Sequence, residues 1–147
     1  LRMLLFTKAL RLSHYRHVEI SYYKSMETFL SVGCYYVDYS NPPFIKKYIV
    51  LLPGQTLPAH MHAERDELIT VLAGDLLYTA DQHKWNLRGG EQIIVPAGTF
   101  HEYASSGGTV FEEISHGNGE DPSRYRDEGI NMIPRPERVA VITERVL

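Results

Sequence analysis

The 147-residue chain predicts an all-β domain, closed into a small barrel or sandwich and preceded by one short helix. Three observations carry that prediction. From Val18 onward, apolar residues alternate with polar ones instead of recurring at helical spacing. Beyond Pro53, turn-forming residues come every eight to twelve positions. The segments between those turns, "ELITVLAG", "LLYTA", "EQIIVP", "FHEYA" and "TVFEEIS", are short, β-branched and aromatic.

Each element follows in order. Leu5, Ala9 and Leu12 fall at helical spacing, which predicts a helix over residues 3–15. Val18, Ile20 and Tyr22 share one strand face, and Val32, Cys34 and Tyr36 share another. "YSNPP" at 39–43 predicts a turn, because two prolines cannot donate to a ladder. "FIKKYIVLLP" at 44–53 predicts a strand ended by Pro53-Gly54. The later turns fall at Ala63 to Asp66, Gly74-Asp75, Asp81 to His83, Gly89-Gly90, Pro96 to Thr99 and Ser105 to Gly108. "HGNGEDPSRY" at 116–125 is expected to leave the barrel, with the last twenty residues packed outside it. Within them, "RVAVITERVL" suits either a strand or a helix.

Composition excludes several classes. The length fits one domain over residues 1–147, and 44% hydrophobic residues with ten tyrosines are enough for a core. A net charge of -3 gives no electrostatic case for nucleic acid or an anionic membrane. No apolar run approaches the roughly 20 residues of a membrane span. "LRMLLFTKALRL" resembles a signal peptide only faintly: Lys8 and Arg11 interrupt it, and no small-residue cleavage site follows. Cys34 is the single cysteine, so no internal disulfide is possible and a reducing, cytoplasmic setting is expected. Its place in an alternating strand suits a small buried hydrophobe.

The chemistry concentrates in "GQTLPAHMHAERDE", residues 54–67. Residues i and i+2 of a strand share a face, so His60 and His62 project together. The turn at 63–66 reverses the chain and lets Glu67 face them. His101 follows another turn, thirty-four residues after Glu67. Three neutral imidazoles and one carboxylate suit a borderline divalent ion such as Mn, Fe, Co, Ni or Zn. Such a site has a net charge of about +1 and, if octahedral, leaves two adjacent positions open. An isolated H-x-H is more often a solvated or core pair. His14, His17, His83 and His116 have no comparable context and read as surface or packing residues.

The setting of the pair resembles a known family. "G54-QTLPA-H60-M-H62-AERD-E67-LITVLA-G74" is similar to the first signature motif of the cupin superfamily, and "G90-EQIIV-P96-A-G98-TF-H101" to the second. Residues 75–89 separate the two, and Ser105 stands where the second motif usually ends in asparagine. The resemblance covers residues 54–105. It implies a small jelly-roll barrel with a metal inside, held by His60, His62, Glu67 and His101.

Flanking residues narrow the field, since this fold hosts many activities. Lys47 lies thirteen positions before His60, and the Pro53-Gly54 break can reset which way it faces. "VFEEIS" carries Glu112 and Glu113 on opposite faces, and periodicity does not choose the inner one. The order Lys47, Gln55, Pro58, His60, His62, then Glu113, Ile114, Ser115 and Arg124-Tyr125, is similar to the D-lyxose isomerase family of cupins. "EEIS" also resembles cupin domains associated with sialic acid and related sugar biosynthesis. The first of these resemblances implies aldose–ketose isomerisation of a free sugar such as D-lyxose or D-mannose, with a divalent ion, manganese first, as cofactor. Glu113 would move the proton between C2 and C1, Lys47 would donate to the oxygen that gains charge, and Gln55 and Arg124 would hold hydroxyls.

Two other classes remain open: an iron-dependent dioxygenase on the same four ligands, and a non-catalytic sugar-binding or regulatory cupin. The bland readings are a cross-strand ion pair for Glu113 and a solvated edge residue for Lys47. Cupins commonly pair through edge strands, so Tyr22, Tyr23, Tyr35 and Tyr36 suggest a homodimer interface.

Overall fold

The computed structural model describes residues 18–24, 29–41, 44–116, 122–134 and 139–142. The expected helix over 3–15, together with His14 and His17, lies outside the described residues. Among the described residues, eleven strands run β1 (Val18–Lys24), β2 (Phe29–Asn41), β3 (Phe44–Leu51), β4 (Gln55–Met61), β5 (Glu67–Ala80), β6 (His83–Arg88), β7 (Gln92–Val95), β8 (His101–Ser105), β9 (Thr109–His116), β10 (Arg124–Tyr125) and β11 (Val139–Ile142). One short helix, α1 (Glu128–Asn131), is capped by the Asp127 side chain. The all-β expectation holds.

The pairing is antiparallel throughout, in the order β10-β4-β8-β5-β9-β3-β2-β1-β11, with β6 and β7 also on β5. The two strands expected on either side of Gly74 are one element that changes partners there. Before Gly74, β5 pairs with β7 and β9; after it, with β6 and β8. Gly74 holds φ at +86, and a Cβ there would collide with the Gly108 carbonyl. Only glycine meets both demands. Thirteen further residues of straight strand would carry Ala80 roughly 40 Å from Glu67. Yet Glu67 touches His101, the register partner of Ala80. The partner change at Gly74 therefore folds β5 back across the barrel and brings its two ends together.

The interior fills as alternation predicts. Ile69, Val71, Leu76, Tyr78, Tyr103 and Phe111 are buried with Ile49, Leu51 and Val95. At about 25 cal/mol per Å² of apolar surface removed from water, each such side chain contributes on the order of 2 kcal/mol. β6 is exposed at five of its six positions. It has no buried face to create alternation, and the expected strands did not include it.

The C-terminal segment forms a strand at 139–142, paired with β1 from Val18↔Ile142 to Ser21↔Val139. β1 therefore has β2 on one side and β11 on the other, and β2 lies between β1 and β3. The tyrosine-bearing strands are not edges, which removes the reason given for a dimer through them.

Candidate metal centre

Pro58 sits inside β4 and lacks an N–H, so the β4–β8 ladder slips between Leu57 and His60. The Pro58 carbonyl accepts a hydrogen bond from His60 Nδ1 at 2.8 Å. At the opposite end of the motif pair, Thr99 O accepts from His101 Nδ1 at 3.0 Å. A carbonyl can only accept, so both rings carry a proton on Nδ1, and Nε2 is the lone-pair position of the neutral ring. Burial first, then the charge of His101, holds His60 down to a pKa of about 3, so it is neutral at pH 7. His60, His62, Glu67 and His101 are all buried. The His60 and His101 rings lie 4.4 Å apart between centroids.

Glu67, the first residue of β5, reaches between the histidines. Oε1 is 3.3 Å from His62 Nε2, and Oε2 is 3.3 Å from His101 Nε2. Both Glu67 oxygens and His101 Nε2 are buried without a hydrogen-bond partner. Burial first and then the charge of Glu113 raise the Glu67 pKa, against His101 and Lys47. Adjacent ligands of an octahedral ion at about 2.1 Å lie about 3 Å apart. The donors suit a divalent ion in kind, and two contacts approach that spacing.

The arrangement is not a finished cage. Among the described residues, no group of three or more His, Cys, Asp or Glu side chains stands so that it could hold a metal ion. A residue that the sequence reading missed, Arg65, stands among these donors. Its side chain is buried, with Nη2 2.9 Å from His62 Nε2 and Nε 3.6 Å from Glu67 Oε1. A guanidinium only donates, so His62 Nε2 must accept from it. His62 therefore presents its Nε2 lone pair to Arg65, whose positive charge lies beside Glu67.

Of the two glutamates on β9, Glu113 faces inward. It pairs in register with Lys47, whose Nζ is 2.6 Å from Oε1, and both are shielded. Glu112 points the other way, to a more exposed pair with Lys46 at 2.8 Å. Burial alone would raise the Glu113 pKa. The charge and hydrogen bond of Lys47, helped by Arg65 and His62, outweigh it and hold the carboxyl down to about 2.

The two assigned sugar-holding residues are placed elsewhere. Gln55 turns back, accepting from Leu52 N at 2.7 Å, and closes the Pro53-Gly54 turn. It lines a different cavity of about 280 Å³, with Asp75, Asn86 and Ser106 and none of the four donors. Arg124 is exposed, because on β10 its neighbour Tyr125 takes the inward position. Tyr125 packs against His60, with centroids 5.7 Å apart. Tyr103 also escaped the sequence reading. Its buried hydroxyl has no partner, and burial followed by the charges of Glu67 and Glu113 pushes its pKa well up. Alternation of the strand holding His101 could have found it, two positions on.

Comparison with known proteins agrees with this architecture. Residues 47–115 match the family model described as Cupin domain. A cupin-2 domain from Rhodospirillum rubrum is similar over 81% of this chain and 83% of its own, at 15% identity and a TM-score of 0.64. A cupin 2 conserved barrel domain protein from Rhodopseudomonas palustris is similar over 74% and 77%, at 12% identity and 0.62. The polyketide cyclase RemF from Streptomyces resistomycificus is similar over 71% and 75%, at 18% identity and 0.59. No curated protein matches the chain by sequence. At these identities the solved structures speak for the fold alone. No helix among the described residues is long and apolar enough to cross a membrane.

Proposed function

We propose that this cupin is a divalent-metal-dependent aldose–ketose isomerase acting on a free sugar of the D-lyxose or D-mannose type. The observation that carries the reading is the inward Lys47–Glu113 pair on the strands flanking the histidine–glutamate cluster. His60, His62, Glu67 and His101 would hold the ion, with manganese the first to test among metals sharing this donor preference. When bound, such an ion supplies Lewis acidity to a carbonyl and its neighbouring hydroxyl.

The chain's own residues supply the proton transfers. A carboxylate held at about 2 by Lys47 is a weak base. A sugar oxygen that accepts the Lys47 hydrogen bond would loosen that hold and raise the basicity of Glu113 as substrate arrives. Glu113 would then take the proton from C2 and return it to C1. Lys47 would attend the oxygens, where one proton passes from O2 to O1. The Tyr103 and Ser115 hydroxyls, buried and unpartnered, would meet a polyhydroxylated ligand better than the apolar substrate of an iron-dependent dioxygenase.

The Lys47 hold on Glu113 also favours a second reading, a non-catalytic sugar-binding cupin in which the pair is purely structural. Turnover separates the two. Metal-stripped protein refilled with manganese is offered a panel of free aldoses beside Glu113→Gln. Conversion by wild type, lost in the variant with metal content unchanged, is expected. Sugar binding without conversion under Mn, Co, Ni, Fe or Zn leaves the binding module.

A further inference from the structure

We infer that Arg65 occupies the cation position of this site and competes with a divalent ion for it, so metal enters only as the guanidinium leaves His62. The inference rests on the metal reading above and adds to it a rival within the chain.

Arginine is among the residues least often fully buried, yet Arg65 is 7% exposed. Its seat is the turn between two donors, where it spans His62 Nε2 at 2.9 Å and Glu67 Oε1 at 3.6 Å. Those are atoms an ion would need. Guanidinium groups that serve structure usually bind carboxylates through paired, short hydrogen bonds. Here the Nε–carboxylate contact is long, and Nε is buried without a hydrogen-bond partner. Toward Glu67 the cation is held by charge more than by geometry, and its one short bond is to His62 Nε2. A divalent ion would bring twice the charge to Glu67 and could not share the carboxylate with Arg65 at contact distance.

The consequence is weak metal affinity despite four donors, and the rival can be removed. Manganese chloride is titrated into wild type, Arg65→Met and Arg65→Lys, with free Mn(II) read by electron paramagnetic resonance. Arg65→Met keeps bulk and loses charge, and should bind about tenfold tighter or more, equivalent to about 1.4 kcal/mol. Arg65→Lys keeps the charge and should stay within about threefold of wild type. If Arg65→Met binds no tighter, the competition is wrong and the metal site stands. Absence of binding by every form overturns both. Should Arg65→Met fail to fold, wild type decides alone. One equivalent of zinc should shift the Arg65 Nε resonance in a nitrogen-15 spectrum, identified by its loss in Arg65→Lys. An unmoved resonance in zinc-bound protein overturns the inference.

Discussion

Lys47 and Glu113 face each other across the β3–β9 ladder, Nζ 2.6 Å from Oε1, on the inward side of both strands. The neighbouring pair, Lys46 and Glu112, lies on the outward side. One position of register thus decides which lysine and which glutamate can do chemistry.

If the proposed isomerase reading holds, Glu113→Gln should lower turnover about 10²- to 10⁴-fold, the range for loss of a positioned base. It should also remove the opposite charge that Glu113 sets against the shielded Lys47, at a cost on the order of 3 kcal/mol. The double variant Lys47→Met/Glu113→Leu should recover most of that stability and remain inactive. Urea unfolding beside the aldose assay separates the two effects.

Acid should weaken the metal-free protein in two stages. His60 has a folded pKa of about 3 against an ordinary 6.5, so the unfolded chain takes up its proton first. Stability then falls as pH drops from about 6.5. Glu113 is depressed to about 2 from 4.5, so its contribution is present above 4.5 and lost as pH falls toward 2. Urea midpoints at pH 7, 5 and 3 should show the gap between wild type and Glu113→Gln constant at first, then narrowing below 4.5.

Gly74→Ala should destabilise by about 2–4 kcal/mol, combining a left-handed φ with a collision against the Gly108 carbonyl. Gly98→Ala, where φ is +77 and the space is open, should cost only about 1 kcal/mol. Thermal unfolding of the two variants tests that ordering.

Arg124→Ala should leave stability within about 0.5 kcal/mol and KM unchanged, because the side chain is exposed. Gln55→Ala should lower the melting temperature without moving KM, since it closes a turn. A raised KM in either would return that residue to the substrate site.

Much of this was readable because period and turn chemistry act locally. Alternation and turn spacing foretold the strands, and the two motifs named the four buried donors. The partner change within β5 was not readable, because a glycine between two apolar runs looks the same whether the strand ends or folds back. Taking Arg124-Tyr125 together hides that adjacent strand residues face opposite ways, which leaves Arg124 exposed and Tyr125 buried. Arg65 was missed because an arginine in a polar turn reads as solvated. Only the fold brings its guanidinium to His62 and Glu67.

The central claim is that His60, His62, Glu67 and His101 hold one divalent ion. Metal content after dialysis against manganese, measured per chain on wild type and on His60→Ala/His101→Ala, tests it most directly. The account predicts approach to one ion per chain at saturating manganese in wild type, and none in the double variant. Equal content in both, or no uptake by wild type at millimolar manganese, would contradict it.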